Sequence, residues 1–220
     1  MMLAHPDLSQ PITWDGGGLC GFVVENPVYF RRLSGTLLAQ ARGEAGEFVL
    51  SEAHTPMEFS RYAEVLVSPY AADMEQTKFQ NAIVKELTEL AVREHSAATL
   101  ALLAEVNAYL QELTEDSGET YRYTPLSEPS PLLKACRPYP DDTDLTLAER
   151  LLLYFRMCER FCQKKLFVVY HLAAFMTEEE ILLLHRNLQY ERFSVLAPDG
   201  TDRFPPGVPK RIIDRDLCEI

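Results

Sequence analysis

Two apolar runs near the carboxyl end constrain the fold most: Leu166-Phe167-Val168-Val169-Tyr170 and Phe193-Ser194-Val195-Leu196-Ala197. Both are rich in β-branched and aromatic residues and lack polar alternation, the pattern of strands buried on both faces. Between them Thr177-Glu178-Glu179-Glu180 opens a helix in capping-box style that runs to about Gln189. Asp144 or Thr146 caps another helix ahead of the first run. Its apolar stripe comprises Leu147, Leu151, Tyr154, Phe155, Cys158 and Cys162. Strands and helices alternating in this order require crossover connections and a mostly parallel sheet.

The first seventy residues alternate similarly. Residues 11–14 and 19–25 read as strands joined by the turn Asp15-Gly16-Gly17-Gly18, which predicts a hairpin. Asn26-Pro27 then caps a helix containing Val28, Phe30, Leu33, Leu37 and Leu38 that ends near Gly43. Residues 47–51 and 63–67 are further strands, the second stopped by Pro69, and all are expected to join one sheet.

The middle differs in kind. From Asp73 to Glu115 there is neither Gly nor Pro, and Phe79, Ile83, Leu87 and Leu90 recur at helical spacing, as do Leu103, Val106, Leu110 and Leu113. A break at Glu94-His95-Ser96 gives an αα-hairpin; one long bent helix is the alternative. Ser117-Gly118 ends the region. Pro125, Pro129, Pro131, Pro138 and Pro140 then exclude a regular helix throughout, leaving room for one turn over residues 132–136. The reading is an α/β head formed by residues 1–70 and 146–220, carrying an inserted α-helical leg over residues 71–145.

Charge and motifs narrow the function. The 220 residues hold 21 basic and 33 acidic side chains, a net charge of -12, which excludes a uniformly basic nucleic-acid coat but not a local basic stripe. No apolar stretch of about 20 residues is present. Residues 1–10 lack the basic-then-apolar order of a secretory signal. Five cysteines without paired spacing fit a reduced, cytoplasmic protein. Neither G-x-x-x-x-G-K-[ST] nor G-x-G-x-x-G occurs, so an ATPase reading has little support, and there is no G-x-S-x-G elbow. Cys158 and Cys162 read as core. His171 follows a buried strand at the end where α/β folds place their sites.

Two acidic groups, Glu112, Glu115, Asp116, Glu119 and Asp141, Asp142, Asp144, Glu149, are either a solvated surface or oxygen ligands for a hard cation such as calcium. Arginines gather at 31, 32 and 42, and a second basic group comprises Arg150, Arg156, Arg160, Lys164 and Lys165. In a symmetric ring a modest patch on each subunit would add up to a positive lining.

Several motifs now take on a common meaning. Residues 164–170, Phe175-Met176-Thr177-Glu178-Glu179-Glu180, residues 193–197 and Arg211-Ile212-Ile213-Asp214-Arg215-Asp216 follow one another in the chain. Ahead of them stand Pro11-Ile12-Thr13-Trp14, the glycine turn, Glu25, the helix from Val28, and Leu132-Leu133-Lys134-Ala135. Together they resemble the small spacer-acquisition protein family of type II-A CRISPR loci.

The resemblance implies a kinase-like core without its phosphate loop and a helical leg. It also implies a non-enzymatic, calcium-stabilised homotetrameric ring that encircles double-stranded DNA ends, acting beside the CRISPR integrase and effector nuclease and away from membranes. Arg31, Arg32, Arg42, Lys134 and Arg156 are the expected DNA-facing set. The leg reads Tyr121-Arg122-Tyr123-Thr124-Pro125 where the family is acidic, so Glu119, Asp141, Asp142 and Asp144 are the expected calcium ligands. Two alternatives stay open. One is a metal-dependent enzyme using Asp141, Asp142, Asp144 and His171; the other is a structural oligomer without DNA.

Overall fold

The computed structural model describes all 220 residues and divides them into two units, Met1–Asp73 with Asp142–Ile220, and Met74–Asp141. The first unit runs β1 (Met2–Ala4), β2 (Ile12–Thr13), β3 (Gly18–Val24), α1 (Pro27–Ala41), β4 (Val49–Glu52), β5 (Thr55–Met57), α2 (Phe59–Tyr62) and β6 (Ala63–Leu66). The second holds α3 (Thr77–Arg93), α4 (Ser96–Asp116) and α5 (Ser130–Cys136). The first unit then resumes with α6 (Leu147–Cys162), β7 (Leu166–Val169), α7 (Glu178–Glu191), β8 (Ser194–Asp199) and β9 (Lys210–Ile213).

The chain is an α/β protein whose main sheet has the order β6-β7-β8-β3-β9 with every neighbouring pair parallel. The hairpin expected between residues 11–14 and 19–25 does not form. Thr13 pairs with Met2 in a separate antiparallel sheet, β2-β1-β4-β5, whereas Gly18 aligns with Ser194 of β8. Burial explains the split. All seven residues of β3 are buried, so this strand needs both faces covered; β2 alternates, with Ile12 buried and Thr13 exposed. Of the early strands only β3 and β6 join the parallel sheet, which corrects the expectation of a single sheet.

Stacking of Phe155 from α6 on Phe167 from β7, with ring centroids 4.2 Å apart, anchors one face of the sheet, and Phe193 packs edge-on against both. The antiparallel sheet shares the other hydrophobic cluster with α1. In it Leu3, Ile12, Leu50 and Trp14, the chain's lone tryptophan, are buried together with Phe22 and Leu33. Capping boxes start α6 at Thr146 with Glu149 and α7 at Thr177 with Glu180. At the free flank of the sheet, Ile213 bridges to Glu219 and the Ile220 N–H donates to the Ile212 carbonyl at 3.0 Å, so the final residues cover β9.

Helix α7 is tied to β3 by a buried histidine. His185 Nδ1 accepts a hydrogen bond from the Leu19 N–H at 3.0 Å, which keeps that nitrogen unprotonated. Burial pushes its pKa below the ordinary value of 6.5. The folded value is depressed, so the unfolded chain takes up the proton first as pH falls. The stabilisation is present above 6.5, and it is lost as pH drops from there through the folded value. His5, also lowered by burial, acts in the same direction. The melting temperature is therefore expected to fall between about pH 7 and pH 5, and less steeply in His185→Gln, whose amide oxygen can still accept from Leu19. An unchanged pH slope in that variant would clear His185 of the effect.

In the second unit the chain breaks between Arg93 and Ser96, where Glu94 ends α3 by donating to the Leu90 carbonyl at 2.9 Å. The Thr99 hydroxyl ties the start of α4 to the Ala91 carbonyl at 3.0 Å. The Asn107 amide pairs twice with the Leu126 backbone, at 2.8 and 2.9 Å. Leu103 is the one buried residue of α4; Leu100, Leu102, Tyr109 and Leu113 are exposed at 65%, 51%, 60% and 46%. No helix is long and apolar enough to cross a membrane.

Candidate nucleic-acid interface

At the carboxyl end of β3 the chain turns through Glu25-Asn26-Pro27 directly into α1. In nucleotide-binding parallel sheets this position holds the loop whose N–H groups cradle phosphate. Here Asn26 Oδ1 accepts from the Val28 and Tyr29 N–H groups at 3.1 and 3.2 Å, and its amide donates to the Arg215 carbonyl at 3.1 Å. The donors a phosphate would use are already taken by the chain's own cap.

Helix α1 carries no acidic residue in a chain of net charge -12. Tyr29, Leu33, Leu37 and Gln40 are its buried face, while Arg31, Arg32 and the C-capping Arg42 are exposed. Eleven residues separate Arg31 from Arg42, so they point almost the same way about 16 Å apart along the axis. Arg32 is engaged differently. It lies 4.8 Å over the Tyr29 ring and pairs with Asp7, which also accepts from the Tyr29 hydroxyl at 2.6 Å. Burial, reinforced by that carboxylate, pushes the Tyr29 pKa up to about 12. Arg31 and Arg42 form no such pair, leaving two cations on one line of the helix.

The other expected basic residues sit elsewhere. Arg156 on α6 donates through Nε and Nη2 to both Glu191 oxygens, each at 2.7 Å, a bidentate pair that raises its pKa further. Its guanidinium is committed within the unit. Lys134 is exposed on α5 and, with Lys85, Glu89 and Glu128, lines a hollow of about 560 Å³ in the second unit.

The acidic residues are scattered. Asp142 forms an ion pair with Arg150, Oδ2 lying 2.9 Å from Nε. Asp144 and Asp141 are exposed, and Glu119 lies exposed just past α4, its N–H donating to the Ser117 hydroxyl at 3.3 Å. No three His, Cys, Asp or Glu side chains stand together as a ready ligand set. The carboxylate facing His171 is Asp199, with Nδ1 and Oδ1 3.7 Å apart, and not one of residues 141–144.

One group escapes a linear reading of the chain. Ala63 and Leu166 are partners in the parallel register of β6 and β7, so the residues just before them, Arg61-Tyr62 and Lys164-Lys165, come side by side. The Lys165 N–H donates to the Tyr62 carbonyl at 2.8 Å. The available signal was a basic dipeptide ahead of one buried strand and an Arg-Tyr pair ahead of its neighbour. The chain matches no protein-family model and no curated protein.

Proposed function

We propose that the chain is a CRISPR-associated adaptation protein. It binds double-stranded DNA ends without sequence preference, as a calcium-stabilised tetrameric ring, beside the CRISPR integrase and effector nuclease during spacer acquisition. It holds DNA rather than transforming it, on a kinase-like core without a phosphate loop and with a helical leg inserted between its two halves. The observation that carries this reading is α1: an acid-free helix presenting two unpaired arginines on one line of a strongly acidic protein. Arginine forks suit phosphate oxygens, and contacts to phosphate alone give affinity without sequence readout.

Two further observations support it. The Asn26 cap occupies the N–H groups that a nucleotide phosphate would need, which favours a binding role over phosphoryl chemistry. Helix α4 exposes Leu100, Leu102, Tyr109 and Leu113 and contains no Lys or Arg, and an apolar helix left this bare suits contact between subunits. Calcium belongs to the reading as a component of the assembly. In a ring, oxygens from more than one subunit and from backbone carbonyls can complete its coordination alongside the carboxylates.

The test is binding to a linear duplex and to a closed circle of the same sequence, with calcium and with chelator. Calcium-dependent capture of the linear form alone is expected, because a ring threads from a free end. Equal binding to both would replace the ring with an open surface. No binding to either, in any salt, from an intact oligomer would favour the second reading that bare α4 permits, a structural oligomer without DNA.

A further inference from the structure

We infer that the groove at the amino ends of β6 and β7 binds a nucleotide, its base on the Tyr62 ring and its phosphate at Arg61. Two hollows of about 560 and 460 Å³ meet there, sharing Tyr62 and Lys165 as common walls. Both lie in the range of roughly 300–1,000 Å³ typical of small-ligand sites. The site arises from register: in-line starts of two parallel strands set an aromatic residue beside three cations.

The three cations are not equivalent. Lys164 is spent on structure, its ammonium donating to the Ser60 and Ala63 carbonyls at 2.8 and 2.7 Å and lying 3.6 Å from Glu64. Lys165 pairs with Glu52 at 2.5 Å. Arg61 has only a neutral partner, the Gln163 side-chain oxygen at 3.2 Å, and its guanidinium sits 5.2 Å from the centre of the Tyr62 ring. It is the cation with charge to spare, already next to an aromatic face. A ligand that offers both a planar ring and an anion fits this pairing, since base stacking on an aromatic side chain combines with arginine recognition of phosphate. Glu159, lining the smaller hollow, supplies an acceptor for a sugar hydroxyl or an exocyclic amine.

A nucleotide reaches such a site either free in solution or as the unpaired terminal residue of a DNA strand; the second source rests on the DNA-end reading. The experiment separates the two. Anisotropy of a short labelled duplex, blunt or with an unpaired overhang, is measured alongside calorimetric titration with dAMP. The proteins are the unaltered chain, Arg61→Gln, Tyr62→Leu and Tyr62→Phe. The overhang is expected to tighten duplex binding about tenfold, within what one stacked base supplies. Arg61→Gln and Tyr62→Leu should lose that gain while Tyr62→Phe keeps it. Uptake of dAMP that depends on Tyr62 and Arg61, with blunt and overhanging duplexes equal, would assign the groove to free nucleotide. The same dAMP result with no duplex binding at all would bring down the DNA-end reading and leave this one standing. Equal duplex affinities without dAMP binding, or any nucleotide binding unmoved by both Arg61→Gln and Tyr62→Leu, would overturn the inference. Arg61 is a surface side chain, so its variant keeps the test decisive even if Tyr62→Leu unfolds.

Discussion

Replacing Arg31 and Arg42 together by glutamate is expected to weaken binding to linear duplex DNA by about a hundredfold or more near physiological salt. The slope of log affinity against log salt should flatten by about 0.9 for each phosphate contact removed. Both residues are exposed on one line of α1 and neither is engaged by a carboxylate, so the reversal alters the field with little disturbance of packing. In the proposed ring, repetition would multiply the effect of each subunit's two charges. Arg32 makes a poorer probe. Its reversal would set a glutamate against Asp7 and release the Tyr29 hydroxyl's partner, mixing stability with binding. Salt titrations of the double variant check the expectation, and an unchanged slope would remove α1 from the DNA-facing surface.

Gly17→Ala should be the most damaging single methyl in the chain. Gly17 has φ +92, and a Cβ there would lie 2.7 Å from both the Cα and the carbonyl carbon of Arg192 and 2.9 Å from the Leu188 oxygen. These are backbone atoms at the end of α7, immediately before β8, and they cannot swing aside as a side chain can. Left-handed strain and the clash together should cost about 3–5 kcal/mol, a large share of a typical domain's stability. Gly16 supplies the internal control. Its φ is +95, but nothing lies within 4 Å of an added Cβ, so Gly16→Ala should show only the conformational penalty of roughly 1–2 kcal/mol. Urea unfolding of the pair separates the two contributions, and equal midpoints would mean the close approach to α7 carries no weight.

The same glycine illustrates what a linear reading misses. A Gly-Gly-Gly turn between two apolar runs looks like hairpin chemistry, yet here the glycines pass a strand beneath the end of a helix about 170 residues further along the chain. Features written in adjacent residues were legible. The cap at the start of α6, read as Asp144 or Thr146, the capping box at Thr177, the proline at the start of α1, the break before Ser96 and the continuous runs that became β7 and β8 each depend on local chemistry. Features made by distant pairing were not. β1, β5 and β9 are three- or four-residue strands too short to show a period, and β1 exists because Met2 meets Ser51 and Thr13. The candidate site divides along the same line. Arg31 and Arg42 share a helix face that the 3.6-residue repeat reveals in advance. The Arg61-Tyr62 and Lys164-Lys165 quartet depends on the Ala63–Leu166 register, which no local pattern encodes.

Trp14 gives the molecule a built-in optical probe. It is the chain's lone indole, 5% exposed, packed in the cluster shared by the antiparallel sheet and α1. Its fluorescence therefore reports the opening of that cluster and is silent about α3, α4 and α5, which supply about half of the helical signal in circular dichroism. Following both signals through one denaturant series resolves whether the two units melt as a single cooperative block or in separate steps, without adding a label to the protein.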